Sequence, residues 1–421
     1  MGAGVVVRLH DAKVCFCFFF VNPEEKIVVQ TTMTHEEAIK RAEYIGQVAE
    51  EGLFEADRNN GYSSKLKDAI HETQIHRLLR PKKYGGFGLG HDTMAEVVRT
   101  VAQHSVSGAW VTYFMPLHET WVAMLPPRAR EEIFASDQFV SDIFFPIGKI
   151  EYVEGGVRLS GEWKWGSGID FCGWIGLGAM VDVPGQPGGP QPCLVTVKVS
   201  EGEIVKDWNA FGLNGTGSNT FRINNVFSRW DMVLPLGAIK KNTVPIGGDY
   251  DPSEPVYRVP FGPAFCVGFG AICVGAAQRL QRELHERIRS RQRVVLGMKE
   301  WESPVAQRNL GEVTTRVETI EALFGRYVNQ LKDWCKVGKT SIEPEEEARM
   351  AAWRAYISRT ASQIGFRSLE LLGGAAAYRG DLVEVFARDL LMISIHVGQA
   401  YEDHMMFYGR AQYGMSQHPL V

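Results

Sequence analysis

Glu154-Gly155-Gly156-Val157-Arg158-Leu159-Ser160-Gly161-Glu162-Trp163-Lys164-Trp165-Gly166-Ser167-Gly168 is the stretch on which the fold turns. Val157 and Leu159 alternate with polar residues between glycine turns, the period of a half-buried strand. Lys149-Ile150-Glu151-Tyr152-Val153 before it and Cys193-Leu194-Val195-Thr196-Val197 after it have the same texture. Val183-Pro184-Gly185-Gln186-Pro187-Gly188-Gly189-Pro190 reads as a loop. A middle β domain is expected over residues 139–232.

Helical patterns flank it on both sides. From Thr34 to Arg80, Ala38, Ala42, Ile45 and Val48 recur on one face, and Thr34 with Glu37 forms a capping-box signature. A second apolar stretch, Met94 to Leu125, carries Trp110, Phe114, His118 and Trp121, and Pro126-Pro127 is expected to stop it. These define an N-terminal α-helical domain, 33–138. After Pro260, long amphipathic segments near 263–297, 303–336, 343–372 and 382–409 predict a C-terminal four-helix bundle within 233–421. The fold class is α+β. Residues 1–32 read as an extension, with Met33 as a plausible start. Their apolar runs reach neither the ~20 residues of a membrane span nor a small-residue cleavage site. An edge strand or a membrane-contacting arm is the alternative.

Composition removes several function classes. The chain has 421 residues, 45 Lys+Arg against 49 Asp+Glu and a formal charge of −4, so no basic field points to nucleic acid. The 7 Cys are scattered, which argues against a disulfide framework and suits a reducing cytoplasm. No CxxC pair suggests zinc. His396 and His404, beside Glu402 and Asp403, would stand about 80° apart on one helix, so no metal is expected. No phosphate loop or nucleophile elbow occurs, and Gly215-x-Gly217 and Gly268-x-Gly270 lack a strand–turn–helix frame.

Three motifs in order carry a family resemblance. Gly161 to Gly168 resembles the Gly-x-Lys-x-Trp-Ile-Thr/Ser-Asn-Gly pattern of the acyl-CoA dehydrogenase superfamily. Leu372-Gly373-Gly374-Ala375 followed by Arg388-Asp389 resembles its C-terminal signature, and Pro81-Lys82-Lys83-Tyr84-Gly85-Gly86 its Pro-x-x-Tyr-Gly-Gly turn. The resemblance covers roughly residues 35–421. It implies an acyl-CoA dehydrogenase-like fold: N-terminal helical domain, middle β-barrel or sandwich, C-terminal four-helix bundle. The position where dehydrogenases often keep a catalytic Glu is Val397, and Phe144-Phe145-Pro146 replaces their Thr-Glu-Pro. His396 instead resembles the two-component flavin monooxygenase branch, the p-hydroxyphenylacetate 3-hydroxylase group.

That resemblance implies an oxygenase component using FMN or FAD, delivered reduced by a separate flavin reductase. With molecular oxygen it would form a flavin C4a-hydroperoxide and hydroxylate a small aromatic, phenolic substrate. It places His396 as the base for the phenolic proton and His118 on the substrate or peroxide oxygen. Ser167 would accept a bond from flavin N5. Trp110 and Trp165 would stand beside the flavin, Arg291 near its phosphate, and Phe144, Phe145 and Trp121 against the substrate. Phe261-Gly262-Pro263 lacks the Arg that the branch associates with acid substrates. A homotetramer without membrane or nucleic-acid partners is expected. Plainer readings stay open at single residues: core histidines for His118 and His396, a turn for Ser167, packing for the tryptophans, a solvated face for Arg291. The alternatives for the whole are an acyl-CoA dehydrogenase or flavin oxidase with a relocated base, or a superfamily member kept as a binding protein.

Overall fold

Thr34 opens the fold by accepting the Glu37 N–H at 3.2 Å, which caps α1 (His35–Glu51). The computed structural model describes residues 32–241, 244–293 and 297–415, so the expectations for residues 1–31 lie outside it. Ala38, Ala42 and Ile45 are buried on the inner face of α1 as their spacing predicts. α2 (Leu53–Asn59) and α3 (Ser64–Glu72) follow, then α4 (His91–Ala102) and α5 (Val106–Val122). Every residue of α5 is buried. Pro126-Pro127 does not stop α5, which ends four residues earlier. Pro127 opens α6 (Pro127–Ser136) at the first helical position, where a missing N–H costs nothing.

The middle region is one seven-stranded sheet in the order β5-β6-β2-β1-β3-β4-β7. Its strands are β1 (Phe139–Val153), β2 (Gly156–Gly166), β3 (Cys172–Val181), β4 (Gln191–Lys198), β5 (Glu203–Val205), β6 (Asn219–Arg229) and β7 (Val233–Pro235). All pairings are antiparallel except β1 with β3. β1 changes partner along its length: Phe139–Ile143 and, after an irregular stretch, Gly148 pair with β3, and Lys149–Val153 with β2. Phe144-Phe145-Pro146-Ile147 is the irregular stretch between, and such a bulge lets one strand serve two sheet faces. Trp163, Leu159, Leu177, Val195 and Phe221 fill the core it encloses.

α7 (Leu236–Lys241) and α8 (Phe261–Phe265) lead into the bundle: α9 (Val267–Ser290), α10 (Pro304–Val337), α11 (Pro344–Leu372), α12 (Leu382–Ser394) and α13 (Tyr401–Gln412). A two-residue pair, β8 (Gln292–Arg293) and β9 (Met298–Lys299), stands between α9 and α10. α9 packs on α4, α10 and α11, and one apolar core runs from the N-terminal helices into the bundle. Phe261–Ser290 is long and apolar enough to cross a membrane, but 72% of its most apolar window is buried in that core. The expected fourth helix, 382–409, is two helices broken at 395–400. His396 and His404 therefore share no helix, which removes the angular argument. His404 Nε2 lies 3.2 Å from the Gly398 carbonyl.

The Arg388-Asp389 signature locks the three regions together. Arg388 donates to Asp57 (2.9 and 3.1 Å), to Glu384 (2.5 and 3.1 Å) and to the Phe211 carbonyl (2.8 Å). Asp389 accepts from Ser107 Oγ (2.7 Å) and Leu213 N (2.6 Å).

Candidate functional site

Trp110, Phe114, His118 and Trp121 follow one another at four, four and three residues, so they form one face of α5. That face meets the turn after β2 at one end and the start of β1 at the other. At the first end the Trp110 indole N–H donates to Ser167 Oγ at 3.0 Å. A chain of hydroxyls sets the direction of the remaining bonds. Thr216 donates to the Leu213 carbonyl (2.7 Å), which can only accept. Thr216 must then accept from Ser218 (2.7 Å), and Ser218 from Ser167 (3.0 Å). Ser167 has spent its hydrogen and one lone pair, so what it still offers is one acceptor site. Two residues away the Trp165 ring is 58% exposed.

His396 stands on the same cluster from the α12–α13 break. Its ring centroid lies 5.5 Å from Trp110 and 5.2 Å from Phe269. Gly398 N–H donates to its Nδ1 at 3.1 Å, so the neutral ring carries its hydrogen on Nε2. Gly398 is held in turn by Arg354, whose Nη2 and Nε reach its carbonyl at 2.8 and 3.3 Å. Burial, then the Arg354 charge, lowers the His396 pKa to about 4. With Nδ1 occupied and burial disfavouring the charged ring, neutral His396 offers its Nε2 hydrogen as a donor.

At the other end of the face, His118 is buried and packs on Phe114 at 5.1 Å. Its Nδ1 donates to the Val140 carbonyl at 2.6 Å. Its Nε2 has no aligned hydrogen bond and lies 3.3 Å from Asp142 Oδ2. The two ring nitrogens thus face the Val140 carbonyl and the Asp142 carboxylate. Trp121 donates its N–H to Asp142 Oδ2 at 3.0 Å.

Known proteins of this architecture bear on the site. The model for "Acyl-CoA dehydrogenase, C-terminal domain" matches residues 267–401. The flavin-dependent monooxygenase oxygenase subunit HsaA of Rhodococcus jostii is 28% identical over 352 residues, 82% of this chain and 90% of its own. The p-hydroxyphenylacetate 3-hydroxylase oxygenase component of Acinetobacter baumannii is 26% identical, covering 84% and 83%. The chain is homologous to the oxygenase subunits of flavin-dependent monooxygenases. Its fold matches that of XiaF from Streptomyces, solved with FADH2 and glycerol, at TM-score 0.83, 21% identity and coverage of 91% and 96%. The 3-HSA hydroxylase of Rhodococcus matches at TM-score 0.81, 24% identity and coverage of 91% and 98%.

Several expected residues lie apart from the Trp110–Ser167–His396 cluster. Arg291 ends α9, donates to the Leu372 carbonyl at 3.0 Å and lines an open cavity of about 650 Å³ with Arg289, Lys299 and Trp301. That cavity contains no residue of the Trp110–Ser167–His396 cluster. Trp121 is fully buried and braces Asp142. Phe144 meets Phe265 edge-to-face at 5.6 Å, whereas Phe145 on the β1 bulge is 50% exposed. Val397, at the dehydrogenase base position, is exposed. Phe269, Asp142, Thr216, Ser218 and Arg354 were not anticipated. Asp142 alone left a sequence signal, a single acid inside Phe139-Val140-Ser141-Asp142-Ile143-Phe144-Phe145.

Among the described residues one group, His71, His76 and Asp137, has metal-ligand spacing. Asp137 is already bound by Arg77 and by Arg80 (2.9 Å), and burial lowers the His76 pKa to about 4. The two guanidiniums already supply the positive charge that a cation would bring.

Proposed function

We propose that this chain is the oxygenase component of a two-component flavin-dependent monooxygenase that hydroxylates a small phenolic substrate. FMN or FAD arrives reduced from a separate flavin reductase, and when bound it supplies the activation of molecular oxygen. The donor set fits such a group. The observation that carries the reading is Ser167, whose hydrogen is committed to Ser218 and whose one free lone pair suits an N–H, as reduced flavin offers at N5. Trp165 presents a flat apolar face beside it.

The chain's own residues then divide the work. Ser167 accepts, His396 Nε2 donates towards the reacting oxygen, and Trp110, Phe114 and Phe269 exclude water around them. Arg291, with Arg289 and Lys299, forms a basic cavity suited to a phosphate. It lies outside the cluster in one subunit, which fits a homotetramer whose neighbouring copies complete each other's flavin sites. Ile395, Val397 and Tyr413, exposed near the end of the bundle, give such an assembly apolar surface to cover.

The test is an anaerobic titration with reduced FMN and FAD, followed by oxygen with and without a phenol. Reduced-flavin binding and a hydroxylated product are expected. A protein that purifies yellow with FAD and bleaches with an acyl-CoA would replace this reading by a dehydrogenase. Lack of affinity for any flavin would replace it by a binding protein.

A further inference from the structure

We infer that the carboxylate of Asp142, held by His118 and Trp121, is the base that takes the hydroxyl proton of the substrate. The inference rests on the phenol-hydroxylating reading above. It starts from the hydrogen count at His118. The Val140 carbonyl cannot donate, so the bond to it fixes a hydrogen on Nδ1. A neutral ring would then aim a bare Nε2 lone pair at Asp142 Oδ2, 3.3 Å away. Two lone pairs facing each other in a buried site repel. One proton between them removes the repulsion and leaves the pair neutral overall, the condition under which a carboxylate tolerates burial.

Oδ2 is thereby taken up by His118 and Trp121. Oδ1 has no hydrogen-bond partner among the described residues, and the Asp142 side chain keeps 8% exposure. It is the one oxygen of the pair left to meet a ligand. Burial raises the carboxyl pKa, against the pull of His118 and the Trp121 bond, which strengthens it as a base. The other titratable groups around the pair are closed. Glu119 is bound to Arg80 at 2.6 and 2.9 Å, Asp137 to Arg77 and Arg80, and Cys172 at the start of β3 is held as a thiol by burial. In the step itself the phenol O–H bond breaks, its electron pair stays on the phenolate oxygen and the proton binds Oδ1. When the hydroxylated carbon gives up its hydrogen as a proton to the oxygen left on the oxidant, the ring regains aromaticity and the phenolic oxygen takes its proton back from Oδ1.

Asp142→Asn keeps the size and, with its carbonyl at the Oδ2 position, the Trp121 bond, while the amide nitrogen replaces the basic Oδ1. With reduced flavin, oxygen and a simple phenol, KM should change little while oxygen transfer slows by ~10²–10⁴-fold. The rate should recover as the pH nears the phenol's own pKa. An unchanged rate and pH profile would overturn the assignment. A second measurement needs no flavin. Nitrogen-15 NMR of histidine-labelled parent protein should find a proton in the Nε2–Oδ2 gap at neutral pH, lost in Asp142→Asn. A bare Nε2 in the parent would overturn the base. Parent protein that hydroxylates no phenol would sink the monooxygenase reading instead, while the resonance judges Asp142 separately.

Discussion

Ser167 works as an acceptor only because two further hydroxyls decide where its hydrogen goes. Ser218→Ala removes that instruction and lets the Ser167 hydrogen turn toward the flavin. Binding of reduced flavin should weaken by no more than about one neutral bond, ~0.5–1.5 kcal/mol, while more of the oxygen consumed leaves as free hydrogen peroxide. Coupling measured as product per oxygen checks this; full coupling in the variant returns Ser167 to a turn residue. His396 is tested by which atom it offers. Gln places an N–H near the position of Nε2, and Leu does not. His396→Leu should lose about 10²–10³-fold in oxygen transfer, as when one preorganised donor is removed, and His396→Gln much less. Since its pKa is about 4, the ring stays neutral from pH 6 upward. No limb of the rate profile above pH 6 should vanish in His396→Gln, and a vanished limb would restore the ring as a base.

At the scale of elements, single side chains join helices that the chain keeps far apart. Arg388 binds Asp57 across 331 residues, and both side chains are nearly buried. Arg388→Ala leaves Asp57 only the Asn214 amide (3.3 Å) and Glu384 only the exposed Arg379 (3.5 Å), which should cost ~3–5 kcal/mol in denaturant unfolding. A loss below 1 kcal/mol would mean that water replaces the guanidinium. His104, just before α5, ties to α1 through Glu43 (3.0 Å) and Glu50 (2.6 Å). Its ring rests where a Cβ at Gly46 would stand. Burial opposes charge on His104, yet the bonds to the two carboxylates outweigh it and hold the pKa at about 9. Folding favours the protonated ring, so its contribution is complete below the unfolded value near 6.5 and fades as the pH rises through about 9. The Tm gap between the parent and His104→Gln should therefore be widest near pH 6 and shrink towards pH 10. A gap that ignores pH would show that packing against Gly46, not charge, is what His104 provides.

For the whole molecule the expectation is a homotetramer, read by light scattering at micromolar concentration. A monomer with full flavin affinity would count against a site shared between copies. The α, β, α order was legible in the sequence because period and turn chemistry are local: Ala38, Ala42 and Ile45 repeat as a helix must, and Val157 and Leu159 as a strand must. The glycine-rich turn and Arg388-Asp389 were legible as motifs, so Ser167, Trp110 and His396 could be named from the chain alone. Their chemistry was not legible, because it depends on partners distant in sequence. Ser167 is an acceptor through Ser218 and Thr216, about fifty residues away. His396 is a donor because a helix breaks at Ser394, turning Gly398 N–H onto Nδ1 under the hold of Arg354. The Asp142–His118 contact forms where β1, just before it bulges out of its pairing with β3 past Ile143, runs against the last turns of α5. Which elements form follows from local period and turn chemistry and can be read along the chain. Where each hydrogen sits is settled once the chain has folded, because a hydrogen bond's direction belongs to the pair of atoms that meet and not to either residue.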